Sequence, residues 1–132
     1  MTNFTRRNFL KTTALSVTAL GMDALSWSRA AGANGDIRVA QIGFRSQGAG
    51  HIETLRKMKG VRLVALCDVD RHVLDEKAQK LGGDIQTYTD IRKLLENKDV
   101  DAVSIAVPNH WHALATVWAC QAGKDVYVEK PA

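Results

Sequence analysis

The sequence predicts a doubly wound α/β fold, five parallel strands in the order 3-2-1-4-5 with helices on both faces. Three observations point there. From Ile37 to Glu129, short apolar runs alternate with amphipathic stretches of helical period. The first run, Arg38 to Ile42, enters a glycine-rich turn, Gly43 to Gly50, that leads into a helical pattern. The second run, Val61 to Cys67, is apolar on both faces, as a strand covered on two sides must be, and Asp68 follows it directly.

Each element has a local cause. Strand one is Ile37 to Ile42. The first helix runs from Gly48 to Lys59, with Ile52, Leu55 and Lys59 on one side and Gly60 as its stop. After strand two, Asp70 caps a helix on which Leu74, Ala78 and Leu81 repeat before Gly82-Gly83 ends it. Ile85 to Tyr88 is a short third strand. Asp90 caps the third helix, with Ile91, Leu94 and Leu95 turned inward. Asp101 to Val107 is strand four, stopped by Pro108. The fourth helix spans His110 to Ala122, capped by Asn109 and stopped by Gly123, with Trp111, Leu114, Ala115, Trp118 and Ala122 as its core stripe. Asp125 to Glu129 is strand five. Right-handed crossovers place the reversal of strand order between strands one and four, and a ligand belongs there, at the carboxyl ends of the strands. The fifth strand forms an exposed edge, which predicts pairing with a further domain or with a second copy.

The domain covers residues 34–132, and residues 1–33 read as a removable leader. Thr5-Arg6-Arg7-Asn8-Phe9-Leu10-Lys11 has the form of a twin-arginine export signal, followed by a mildly apolar run from Thr12 to Trp27 and by small residues, Ala31-Gly32-Ala33, that suit a signal peptidase. Asp23 interrupts the run, which is shorter than the ~20 apolar residues of a membrane span, so no stable membrane anchor is expected. Export to the periplasm is. Arg6, Arg7, Lys11 and Arg29 against Asp23 place most of the net charge of +4 in the leader, and no basic stripe with interleaved aromatics follows, which argues against nucleic acid. Cys67 and Cys120 lie in apolar stretches and are expected to be buried and unpaired. There is no Cys-x-x-Cys and no cluster of metal-ligand spacing.

The chemistry gathers at strand ends. In the fingerprint G-x-G-x-x-G the three places are held here by Gly43, Arg45 and Gly48. The first glycine permits the tight turn and the third lets helix pack on strand. Arginine at the second place departs from the pattern: either the loop bulges and Gly48 and Gly50 take over, or the Arg45 guanidinium itself pairs with phosphate. Asp68 stands where a carboxylate accepts from both adenosine ribose hydroxyls, which favours NAD; Arg71 nearby leaves NADP open as the disfavoured alternative. Pro108-Asn109-His110-Trp111-His112 follows strand four and Glu129-Lys130-Pro131 follows strand five. Singly, Asn109 is a cap, Trp111 is core, the histidines are surface groups and Lys130 is a solvated lysine.

Together, the glycine turn, Cys67-Asp68-Val69-Asp70, Val107-Pro108-Asn109 with His112, and Val128-Glu129-Lys130-Pro131 resemble the glucose–fructose oxidoreductase, inositol dehydrogenase and rhizopine-catabolism family, Gfo/Idh/MocA, over roughly residues 36–132. The resemblance implies a Rossmann-type domain. Gly43, Gly48 and the backbone between them would hold the pyrophosphate, and Asp68 the adenosine ribose. Pro108, Asn109 and His112 would line the cofactor, and Glu129 and Lys130 would lie near the nicotinamide ribose, with Lys130 taking part in proton transfer to a sugar or polyol hydroxyl. Members continue into a second domain that forms the substrate wall, and the expectation is a chain truncated before it. The reading is therefore the cofactor-binding portion of an exported oxidoreductase acting on a sugar or polyol. Two alternatives stand beside it: a redox-neutral NAD-dependent glycosidase, and a truncated nucleotide-binding protein without catalysis.

Overall fold

The computed structural model describes residues 35–130, so the leader assigned to residues 1–33 lies outside the described residues. The elements follow in the order β1 (Ile37–Ile42), α1 (Gln47–Lys57), β2 (Val61–Cys67), α2 (Arg71–Leu81), β3 (Gln86–Tyr88), α3 (Ile91–Leu95), β4 (Ala102–Ile105), α4 (Asn109–Gln121) and β5 (Asp125–Val128). The strands form one sheet in the order β3-β2-β1-β4-β5, every pairing parallel. This is the expected topology, with its reversal between β1 and β4. Boundaries differ from expectation by one or two residues, largely because strand ends that leave the ladder no longer count as strand.

The local signals act as expected where they are local. Asp70 accepts from the His72 and Val73 amides at the start of α2, and Asp90 accepts from the Arg92 amide at the start of α3. Gly82 and Gly123 end α2 and α4 with φ of 66° and 69°, the left-handed backbone that ends a helix cheaply only at glycine, whereas α1 ends earlier than expected, at extended Met58 (φ −75°, ψ 130°), and Gly60 (φ 75°) instead turns the chain into β2.

The two faces of the sheet carry separate cores. Ala40, Ile42, Ala65, Cys67, Val103 and Ile105 pack against Leu94 and Leu95 of α3 and Ala115 and Ala119 of α4. On the other face, Leu63 and Leu66 pack with Phe44, Ile52 of α1 and Leu74 of α2. Each fully buried Leu or Ile in these layers stabilises the fold by about 1.5–3 kcal/mol. A register shift between Val39 and Ala40 leaves Val64 of β2 as an extra residue in the ladder.

Three expectations require correction. The core stripe of α4 is partly out of phase: Ala115 is buried and Trp118 packs against the core as expected, but the other buried residues are His112 and Ala119, while Trp111 and Leu114 are 41% and 42% exposed and Ala122 is exposed. Nearly every side of this helix is apolar, so periodicity could not set its rotation; small alanines allow the closest approach to the sheet, and they take the inner face. Asn109 does not cap α4. Pro108 occupies the cap with φ −56° and ψ 147°, and Asn109 is already the first helical residue, one position too late for its side chain to reach the amides ahead of it. Cys67 is buried and free as expected, but Cys120 is exposed, because it lies on the outer side of the rotated α4. Among the described residues, no helix is long and apolar enough to cross a membrane.

Candidate functional site

The final rung of backbone hydrogen bonds crosses the whole sheet at its carboxyl rim. Glu129 N–H donates to Ile105 O (3.0 Å), Ala106 N–H to Ile42 O (2.8 Å), Gly43 N–H to Cys67 O (2.8 Å) and Asp68 N–H to Tyr88 O (3.2 Å). Gly43, Asp68 and Glu129 are thus the first residues past β1, β2 and β5 and leave one common edge. Pro108 and Asn109, three and four residues past the end of β4 at Ile105, leave the same edge, and Lys130 follows Glu129 in an exposed position.

At the β1–α1 turn, the two glycines have no room for a side chain. A Cβ on Gly43, whose φ is 73°, would lie 2.6 Å from Ala106 O. A Cβ on Gly48 would lie 2.0 Å from Gly43 O. These are the tight turn and the close helix-to-strand approach for which the fingerprint calls. Buried Gln41 braces the turn, its Nε2 donating to Gly43 O at 2.9 Å, while its Oε1 has no partner among the described residues. Gly50 meets nothing within 4 Å and carries no close approach.

Arg45 has a partner within the protein that the sequence did not indicate. Its exposed guanidinium pairs with the Asp70 carboxylate, fastening the glycine turn to the cap of α2. The Val73 N–H bond, together with the His72 N–H and Arg45, holds the Asp70 carboxyl below its usual range. Asp68 is half-buried, and its Oδ1 accepts from the Asp70 amide at 3.0 Å, leaving Oδ2 without a protein partner among the described residues. Burial pushes the neighbouring Cys67 thiol up to about 12, with Asp68 and Asp90 adding to the effect, so this cysteine is an inert core group rather than a nucleophile.

His112 is buried in the first turns of α4. Its Nε2–H donates to Val107 O at 2.6 Å, which fixes the chain just past β4, and Nδ1 is buried without a partner among the described residues. It therefore lies under the β4–α4 loop and holds it, while Pro108 and Asn109 are exposed on top.

The two helices that begin beside the reversal of strand order share a feature. Neither α1 nor α4 has a side-chain cap or an acidic residue in its first turn, whereas α2 and α3, which begin elsewhere, are capped by Asp70 and Asp90. Uncapped amides and the positive end of a helix dipole, next to a turn crowded down to glycine, suit an anionic group. The donor set thus fits a dinucleotide: amides for the pyrophosphate, a carboxylate oxygen for a ribose and a lysine at the far loop. An open hollow lined by Phe44, Arg45, Val73, Glu76, Lys77 and Lys80 lies beside the turn over α2, away from the reversal point.

One cluster escaped the sequence reading. His51 of α1 sits with Nδ1 3.1 Å from Ser104 Oγ and Nε2 3.0 Å from Glu129 Oε1. Ser104 lies in β4 and is separated from His51 by 53 residues; Glu129 is 78 residues away. A polar residue in the middle of an otherwise apolar strand was the available signal.

Residues 37–132 match the family described as "Oxidoreductase family, NAD-binding Rossmann fold". A curated relative, "Glycosyl hydrolase family 109 protein" of Shewanella pealeana, is 32% identical over 154 aligned positions covering 96% of this chain and 33% of its own. Myo-inositol 2-dehydrogenase from Lactobacillus plantarum superimposes with a TM-score of 0.68 at 35% identity, covering 73% of this chain and 28% of its own. Scyllo-inositol dehydrogenase from Lactobacillus casei, solved with bound NAD(H) and scyllo-inositol, gives a TM-score of 0.68 at 28% identity over 72% of this chain and 28% of its own. The chain thus spans about a third of the length of the curated relatives it matches. It belongs to the Gfo/Idh/MocA oxidoreductase family and comprises its NAD-binding Rossmann domain.

Proposed function

We propose that this chain is the cofactor-binding portion of an exported oxidoreductase that moves hydride between NAD and a sugar or polyol. The observation that carries this reading is the departure of the Gly43, Asp68, Pro108 and Glu129 loops from one rim of the sheet, around a turn with no space for a side chain. The amides between Gly43 and Gly48 hold the pyrophosphate, and Arg45, tied to Asp70, keeps that turn against α2. Asp68 accepts from the adenosine ribose through Oδ2; a 2′-phosphate there would face its negative charge, which disfavours NADP. Pro108 and Asn109 line the cofactor, held in place by His112 beneath them. Glu129 accepts from the nicotinamide ribose, and Lys130 moves the proton of the substrate hydroxyl. The nicotinamide, when bound, supplies the hydride acceptor or donor. The inositol dehydrogenase likeness supports a polyol or sugar as the substrate class.

Titration of the purified chain with NADH, followed by cofactor fluorescence, tests the reading. Saturable binding is expected, and Asp68→Ala should weaken it by about 1–3 kcal/mol through loss of hydrogen bonds to a charged acceptor. Absence of saturation at millimolar cofactor overturns it.

A second reading is favoured by the family 109 glycosyl hydrolases among the curated relatives. Here the same residues would hold NAD for a redox-neutral hydrolysis of a glycoside, in which the cofactor would be required but not consumed. Release of free sugar from a glycoside by the full-length protein, dependent on NAD but without accumulation of NADH, would select it. Export rests on Arg6 and Arg7 with Phe9-Leu10-Lys11 behind them. Replacing both arginines by lysine should abolish delivery to the periplasm, and periplasmic recovery of that variant would refute the signal.

A further inference from the structure

The polar row beneath α1 has a consequence for Glu129. Gln41 of β1, Ser104 of β4 and Tyr127 of β5 are successive register partners, so they share the face that α1 covers. His51 lies over this row, in hydrogen-bond contact with Ser104 and Glu129, and its ring meets Tyr127 edge-on with centroids 5.5 Å apart. Ser104 is only 4% exposed, which bars a substrate from its hydroxyl and excludes a nucleophile–base pair. The direction of each hydrogen bond follows from the chemistry. An ionised carboxylate only accepts, so Nε2 carries the proton that faces Glu129. In the neutral ring Nδ1 is then an acceptor, and the Ser104 hydroxyl is the donor in front of it.

We propose that His51 is a positioning residue for the cofactor site: Ser104 O–H fixes its Nε2–H tautomer, and Nε2–H holds Oε1 of Glu129 so that Oε2 is presented to a hydroxyl of the bound dinucleotide. Glu129 Oε2 has no hydrogen-bond partner among the described residues, and its side chain is 28% exposed, so that oxygen is available. The ligand end of this proposal rests on the nicotinamide reading above; the tautomer end does not.

Two measurements on the full chain separate them. The first is the ¹⁵N spectrum of the His51 imidazole without cofactor at about pH 8, where an ordinary imidazole is neutral. Protonated Nε2 with unprotonated Nδ1 is expected, and Ser104→Ala should convert it to a mixture of tautomers. A protonated Nδ1 in the unaltered protein overturns the proposal. The second is NADH affinity in a double-mutant cycle. His51→Ala and Glu129→Gln should each weaken binding about tenfold, and the double variant should be no weaker than either, because the two act as one unit. His51→Gln, whose amide can still donate to the carboxylate, should recover part of the loss that a merely structural void would leave unrepaired. Unchanged affinity in His51→Ala, or additive losses, overturns the proposal while leaving the cofactor reading intact. If the unaltered chain binds no NADH, the cofactor reading falls and the ligand end with it, whatever the tautomer.

Discussion

The two rims of this sheet are finished in opposite ways. At the amino rim polar groups satisfy one another. Arg38 donates through Nε and Nη2 to the two oxygens of Asp101 (3.0 and 2.8 Å) and through Nη1 to Asp99 (2.8 Å), its own amide also reaching Asp101. Lys124 Nζ closes the next gap by donating to Asn97 O and Val100 O, both at 2.7 Å. At the carboxyl rim, by contrast, among the described residues α1 and α4 begin without side-chain caps, Gln41 Oε1 and His112 Nδ1 are buried without partners, and backbone approaches so closely that only glycine fits at 43 and 48. The amino rim is closed by side-chain pairs, whereas beside the reversal of strand order the carboxyl rim leaves two helix starts and a glycine turn without side-chain caps.

That contrast can be broken most directly at Gly48. Gly48→Ala should cost on the order of 3 kcal/mol or more in denaturant unfolding, since its Cβ would overlap Gly43 O and α1 must shift to relieve it. Retention of full stability would mean that the turn is looser than its geometry shows. At the opposite rim, Arg38→Met should cost about 2–3 kcal/mol by leaving the Asp101 carboxylate without its bidentate partner, yet leave NADH affinity unchanged. A loss of cofactor binding in that variant would show that the two rims are coupled.

The same pair sharpens the comparison through pH. Burial works to raise the Asp101 carboxyl, but the hydrogen bonds and charge of Arg38 outweigh it and hold the group below its usual value. A carboxyl depressed in the folded state contributes stability above the unfolded value of about 3.9 and loses that contribution as pH falls through the folded value. Acid unfolding measured below about pH 4 should therefore be less steep in Arg38→Met than in the unaltered chain. The smallest effect belongs to Gly50, which sits in α1 with open space around it. Gly50→Ala should stabilise by up to about 1 kcal/mol through helix propensity and leave the cofactor site untouched; destabilisation would assign this glycine a role that its surroundings do not show.

How much was legible in the sequence follows from how far each signal reaches. The stops at Gly82 and Gly123 and the caps at Asp70 and Asp90 depend on backbone within a turn or so, and each acts where it was expected, while Gly60 serves the turn into β2 after α1 has already ended at Met58. Strand order followed from alternation and crossover handedness. The phase of α4 was not legible, because a helix apolar on nearly every side does not say which side goes down. Nor was the partner of Arg45, a choice between a phosphate and a carboxylate 25 residues away that periodicity does not express.

From its own residues the chain specified five strands, their order, the glycine turn and the rim on which a ligand must lie, since these are set by local conformational preference and by the one hand of a parallel crossover. Only the folded molecule decided which polar side chains meet. Arg38 with Asp101, and His51 with Ser104 and Glu129, are pairings across 53 to 78 residues of sequence that exist because parallel register and helix docking bring them side by side.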